Sequence, residues 1–225
     1  MSPSFRLSGM KRPYATLFYT QLLALGIVPV LRAMGLPDWP VELLLAGSLF
    51  WAAVAAVDGH RHHLLIGVVA LLVLARLAGL LFGWGALFTE ASSFGWLGIA
   101  VLGAAGAVRF MFRRGVRREE QIYAALSAYL LIGMFMGVLY AGVGARSPEA
   151  FLVLGAPASP ENFNLGTAIY FSFVTLATLG YGDIVPVAEF TRGLVILQAV
   201  GGQLYLAVLL ASLVGMATPT GRPAA

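Results

Sequence analysis

Apolar segments long enough to cross a lipid bilayer follow one another along most of this chain. A membrane-spanning helix needs about 20 consecutive, mainly apolar residues. Of the 225 residues, 60% are hydrophobic and only 11% are charged, and the mean hydropathy is +0.87. Soluble domains carry about 25% charged residues, so this chain has too few charges to cover a water-facing surface. The sequence therefore predicts a membrane protein.

Six of these segments are predicted to cross the membrane, because glycine, proline and charged residues interrupt the apolar pattern between them. They cover residues 14–34, 41–57, 63–82, 93–112, 121–143 and 192–216. The first segment is a full span in length and has no small-residue cleavage site at its end, so we expect it to stay in the mature protein. The predicted fold class is an all-α membrane protein with six transmembrane helices.

Most basic side chains fall in the connections that an alternating six-span path brings to one side of the membrane. They are Arg6, Lys11, Arg12, Arg61, Arg113, Arg114, Arg117 and Arg118. Because cytoplasmic loops are enriched in Lys and Arg, we expect this side, and with it both termini, to be cytoplasmic. Topology then accounts for the net charge of +4, and no nucleic-acid partner is expected. A chain so rich in Ala, Gly and Leu fits a prokaryotic inner membrane.

The connection between the fifth and sixth segments, residues 144–191, is too apolar for an ordinary outer loop. Within it, residues 163–178 predict a short helix, with Asn162 or Asn164 as the N-cap. Sixteen residues cover about 24 Å, which is less than the roughly 30 Å of the hydrocarbon core. We therefore expect a re-entrant helix. Irregular backbone is tolerated at membrane depth only against protein or a water-filled cavity, so the next residues should line one.

The re-entrant helix leads into a hexapeptide, Thr178-Leu179-Gly180-Tyr181-Gly182-Asp183. A dehydrated cation needs several oxygen ligands, and a run of inward-facing backbone carbonyls supplies them. Gly180 and Gly182 can adopt positive φ without steric cost, which allows alternate carbonyls to face the same side. A Gly-Tyr-Gly triplet alone would more simply be a turn. Placed between a short apolar helix and a complete span, it predicts a pore.

The hexapeptide resembles the selectivity filter of potassium channels, whose usual form is Thr-Val-Gly-Tyr-Gly-Asp. The resemblance extends over the Tyr170–Phe171 aromatic pair, Pro186 and Gly202. It implies K⁺ as the permeant ion, with no other cofactor, bound at Thr178, Leu179, Gly180 and Tyr181. Gly182 completes the filter, Asp183 lies at the outer mouth and Tyr181 braces the strand against aromatic neighbours.

One filter strand forms one wall of a pore, so the chain is expected to assemble as a homotetramer. The expected domains are a four-span unit, 1–118, and a pore domain, 119–225. Gly201 and Gly202 are candidates for a gating hinge, with small-residue packing as the alternative. Val174 stands where some family members have a glutamate that contacts the filter aspartate, so we expect Asp183 to lack that partner.

Six spans with the filter between the fifth and sixth resemble the layout of voltage-gated channels, but the fourth span lacks a sensor pattern. Residues 93–108 hold no basic side chain, whereas a sensor needs one at about every third position. We therefore expect little intrinsic voltage gating. The linker that holds Arg113, Arg114, Arg117 and Arg118 is expected at the inner interface, near anionic lipid.

Two other features invite functional interpretations. Arg76 lies within the third span, where a structural ion pair is favoured over a gating role. Three histidines and Asp58 crowd residues 58–63, where a solvated loop is favoured over a metal site. With no cysteine in the chain, disulfides, thiolate metal sites and cysteine nucleophiles are excluded.

The sequence predicts a passive, potassium-selective channel and not an enzyme. The alternatives are a non-conducting or modulatory channel subunit and a channel-like subunit of a potassium transporter. Transporters of that kind usually carry four degenerate filter copies in one chain, whereas this chain has one.

Overall fold

The computed structural model describes residues 13–34, 47, 67, 104–111, 115 and 117–217. Nearly all of the second and third predicted spans lies outside the described residues, as does most of the fourth. The same holds for Arg76, the histidine cluster, Arg113 and Arg114. The described part is mostly helical.

Besides the helical segment 104–111, four helices make up most of the described part of the molecule. They are α1 (Pro13–Ala33), α2 (Arg118–Arg146), α3 (Leu165–Leu176) and α4 (Glu189–Ala217). Among the described residues, α2 and α4 are the two helices long and apolar enough to cross a membrane. Helix α2 contains the fifth predicted span and α4 the sixth. Each helix is longer than its predicted span at both ends, because the helical hydrogen bonds continue past the apolar residues.

Helices α1 and α2 lie side by side and run in the same direction. At their first turns, the backbone N–H of Tyr14 donates to Oε2 of the buried Glu120 at 3.0 Å. Further along both helices, Leu25 packs against the buried cluster formed by Met134 and Ile169. Between these contacts, Leu17 is buried against the α2 face, in a cluster that also includes residue Ala107 of the helical segment 104–111.

A small antiparallel sheet lies between the helices, and it departs from the all-α expectation. Its strands are β1 (Phe151–Val153), β2 (Ala156–Pro157) and β3 (Ile184–Pro186), in the order β2-β1-β3. A 3-10 turn, Pro148–Ala150, joins α2 to β1. The sheet joins two segments far apart in sequence, which a local hydrophobic pattern cannot reveal.

Two glycines of α2 fix the position of α3. A Cβ atom added at Gly137 would lie 2.7 Å from Cα of Ile169, and one added at Gly133 would lie 2.5 Å from the ring of Phe173. Only glycine allows the two backbones to approach this closely. The short helix α3 is therefore packed closely against α2 at Ile169 and Phe173.

Candidate functional site

The start of α3 is fixed by a side-chain cap. Oδ1 of Asn164 accepts hydrogen bonds from the Thr167 backbone N–H at 3.1 Å and from the Thr167 hydroxyl at 3.2 Å. Of the two predicted caps, Asn164 is confirmed. The Asn162 side chain instead closes the preceding turn, where its Oδ1 accepts from the N–H of Ser159 at 2.7 Å. The helix has 12 residues, or about 18 Å, and is shorter than expected at both ends.

The backbone after α3 alternates between left-handed and ordinary conformations. Thr178, Gly180 and Gly182 have φ values of +58°, +56° and +79°. Positive φ was expected for the two glycines and is confirmed. Thr178 was not foreseen, because its side chain disfavours this conformation. We call residues 178–182 the filter segment.

The inner end of the filter segment is anchored on the last turn of α3. The N–H of Thr178 donates to the carbonyl of Thr175 at 3.0 Å, and the N–H of Leu179 donates to that of Val174 at 2.9 Å. Beyond this anchor the segment is exposed in the single chain, and the Tyr181 side chain is 67% exposed. In the part of the chain that the structure describes, an added Cβ at Gly180 or Gly182 would find no atom within 4 Å.

The outer end is held through Asp183, whose carboxylate has partners other than the glutamate that position 174 lacks. The Tyr170 hydroxyl donates to Oδ2 of Asp183 at 2.8 Å, and the N–H of Ile184 donates to Oδ1 at 3.1 Å. Tyr170 lies one helical turn before Val174, on the same side of α3. The hydrogen bond to Asp183 raises the pKa of Tyr170.

A buried polar chain connects three helices behind the filter segment. The hydroxyl of Tyr140 donates to Oε1 of Gln198 at 2.7 Å, and Nε2 of Gln198 donates to Oγ of Ser172 at 2.7 Å. Ser172 Oγ in turn donates to the carbonyl of Gly133 at 2.7 Å. All three side chains are buried, and the chain links α2, α3 and α4. These contacts were not predicted from the sequence, although a glutamine within an apolar span is a signal for them.

The end of α3 is also fixed from the α2 and α4 sides. The Tyr129 hydroxyl donates to the Leu176 carbonyl at 3.3 Å. An added Cβ at Gly202 would lie 2.5 Å from Cδ1 of Leu176, whereas one at Gly201 would find no atom within 4 Å. Helix α4 is continuous through both glycines. Close packing of Gly202 is thus observed against α3, and hinge motion stays a prediction.

Of the basic linker before α2, the structure describes residues 115 and 117. Arg117 forms an exposed ion pair with Glu119 at 3.3 Å, and Arg118 begins the helix. Within the described ranges, no group of three or more His, Cys, Asp or Glu residues could hold a metal ion.

The part of the chain that contains α2, α3, the filter segment and α4 is similar to known proteins. Residues 124–218 match a protein-family model described as "Ion channel". The chain is also similar to the voltage-gated potassium channel Kch of Escherichia coli strain K12, with 36% identity over 84 residues. This match covers 35% of the chain and only 20% of that relative's length. No solved structure matched. Both matches are to ion channels, and the matched part of the chain, residues 124–218, is similar to them.

Proposed function

We propose that this chain is a subunit of a homotetrameric potassium channel, with the filter segment as its ion-selective part. The alternation of positive φ at Thr178, Gly180 and Gly182 is the observation on which the proposal rests. It is the backbone pattern that allows successive carbonyls to face one side and replace the hydration shell of an ion. In this assignment K⁺ binds at Thr178, Leu179, Gly180 and Tyr181, and no cofactor takes part.

The exposure of this segment in the single chain supports the proposal of a fourfold assembly. One strand cannot surround an ion, whereas four related by a rotation axis can. Residues 177–182 are all exposed in the single chain, as is much of the apolar surface of α4. The carboxyl end of α3 precedes the filter segment, so four such helix ends would contribute partial negative charge below it.

The parallel packing of α1 and α2 supports the proposed six-span topology. If both helices cross the membrane in the same direction, the chain between them must cross an odd number of times, and the proposal has three such crossings. Residues 1–118 would form the membrane unit preceding the pore domain, 119–225. The arginine linker would lie at the cytoplasmic face of the inner membrane, near anionic lipid.

Passive conduction with little intrinsic voltage gating completes the proposal. The Kch relative is described as voltage-gated. Residues 93–108 of this chain nevertheless lack the regularly spaced cations that move in a membrane field. A steep conductance–voltage relation of the purified protein, without a blocker, would contradict this part of the proposal.

Flux from liposomes under opposed K⁺ and Na⁺ gradients tests the function. We expect K⁺-selective flux from the wild type and loss of selectivity in Gly180→Ala, because φ of +56° disfavours any side chain. Gly193→Ala is the matched control, since an added Cβ there meets nothing within 4 Å and its φ is not positive. Equal K⁺ and Na⁺ flux in the wild type would refute selectivity. Assembly without flux would identify a non-conducting subunit.

A further inference from the structure

A two-stranded hairpin, residues 151–157, reaches the outer end of the filter segment. We call it the outer hairpin. Its first strand, β1, pairs antiparallel with β3, in a register that sets Val153 opposite Ile184 and Leu152 opposite Val185. One position further along, the N–H of Leu154 donates to the backbone carbonyl of Asp183 at 2.7 Å. The ladder thus continues to the residue that directly follows the filter segment.

The turn of the outer hairpin has an unfavourable residue at its tip. Val153 pairs with Ala156, so Leu154 and Gly155 form a two-residue loop. Their φ values of +50° and +84° are those of a turn that normally has Asn or Gly at its first central position. The Leu154 side chain is 84% exposed, so burial does not compensate the steric penalty. In this conformation, the backbone N–H of Leu154 donates its hydrogen bond to the Asp183 carbonyl.

The other end of the outer hairpin is fixed to the helices. Phe151 is fully buried, stacks on Phe163 with ring centroids 4.8 Å apart and meets the ring edges of Tyr140 and Phe171. The Ala150 carbonyl accepts from the N–H of Val187 at 2.9 Å. The outer hairpin is therefore anchored in the aromatic core at one end and reaches the end of the filter segment at the other.

We propose that the outer hairpin is a positioning element for the filter segment, acting through the backbone N–H of Leu154 on Asp183. The inference rests on the proposed channel function. Among the described residues, Gly180 and Gly182 have no packing partner at a Cβ position, so we expect the segment to depend on how its ends are held. Its inner end is held by α3, and its outer end by Tyr170 and the outer hairpin.

Comparison of Gly155→Val with Leu154→Gly tests this role by liposome flux, at equal amounts of assembled protein. A β-branched residue at φ +84° opposes the turn, and we expect the K⁺/Na⁺ flux ratio to fall about tenfold. Leu154→Gly keeps the N–H and relieves the steric penalty, so it should retain the wild-type ratio. Gly115→Val is the matched control, since Gly115 has φ of +81° and similarly open surroundings but lies in the linker before α2. If Gly155→Val does not assemble, Gly155→Ala replaces it.

A disulfide between β1 and β3 provides a rescue experiment, because the natural chain has no cysteine. V153C and I184C occupy directly opposite positions. In the Gly155→Val background, the oxidised pair should restore the flux ratio and the reduced pair should not.

Two results would overturn the inference: a wild-type ratio in Gly155→Val, or no recovery once thiol titration shows the disulfide complete. Absence of K⁺ preference in the wild type would contradict the channel function itself. The two failures are therefore distinguishable.

Discussion

The hydroxyl of Tyr170 donates a hydrogen bond of 2.8 Å to Oδ2 of Asp183, thirteen residues later in the chain. This bond joins α3 to the outer end of the filter segment. At Val174, one turn further along α3, the apolar side chain has no group to offer a carboxylate. The carboxylate is thus held from a different position on the helix, and the hydroxyl of Tyr170 becomes a site where this end of the filter segment can be perturbed.

Replacing Tyr170 with phenylalanine removes this bond and keeps the ring. We expect the mutant to lose at most about 1 kcal/mol of stability, since one exposed hydrogen bond is removed. The loss is measured by thermal unfolding in K⁺-containing detergent. Tyr19→Phe is the control, because the Tyr19 hydroxyl also contacts a side chain, that of Tyr123 at 3.1 Å, but lies on α1. Equal effects of the two variants would show that the Asp183 contact has no special role.

The same bond predicts a pH dependence at the alkaline end. The hydrogen bond to Asp183 raises the pKa of Tyr170 above its ordinary value of 10.0. A raised pKa in the folded state means that the stabilisation is present below 10.0 and is lost as the pH rises through the higher folded-state value. The stability difference between wild type and Tyr170→Phe should therefore stay constant at neutral pH and shrink only above 10. A difference that disappears in the neutral range would contradict this assignment.

Alanine at Gly202 and at Gly201 should have different consequences. An added Cβ at Gly202 meets Leu176, which is fully buried at the end of α3, so we expect a destabilisation of about 1–3 kcal/mol. At Gly201 the space is open, and alanine should be neutral or stabilise the helix by up to about 1 kcal/mol. Thermal unfolding measures both effects. Similar losses of channel opening in the two variants, without loss of stability, would instead favour the hinge.

The buried polar chain can be tested with a double-mutant cycle. Tyr140→Phe leaves Oε1 of Gln198 without its donor, and Gln198→Leu leaves the Tyr140 hydroxyl without its acceptor, so each should cost about 1–3 kcal/mol. The double variant lacks both the Tyr140 hydroxyl and Oε1 of Gln198, so neither of these two groups remains without its partner. We expect a coupling energy of about 0.5–3 kcal/mol from the free energies of unfolding. Additive effects would mean that the 2.7 Å contact has no energetic weight.

Features set by neighbouring residues were predictable from the sequence, and features set by distant pairs were not. The Asn164 cap and the positive φ of Gly180 and Gly182 depend on local chemistry, and both were expected. The Tyr170 contact joins positions whose approach depends on the fold. The outer hairpin was missed for a related reason: Leu-Gly is not a usual hairpin turn, and its strands have only two or three residues.

The approach of α3 to α2 provides the strongest test of the packing that holds the candidate filter. At Gly137 an added Cβ would lie 2.7 Å from Cα of Ile169, and backbone cannot rotate away as a side chain can. Gly137→Ala must therefore displace α3, and we expect a loss of about 1–3 kcal/mol in thermal unfolding together with reduced K⁺ flux. Gly142→Ala is the control on the same helix, because its Cβ would meet only the flexible Arg146 side chain at 3.6 Å. Since α3 leads directly into Thr178, a Gly137→Ala protein with unchanged stability and flux would show that the helix does not position the filter segment.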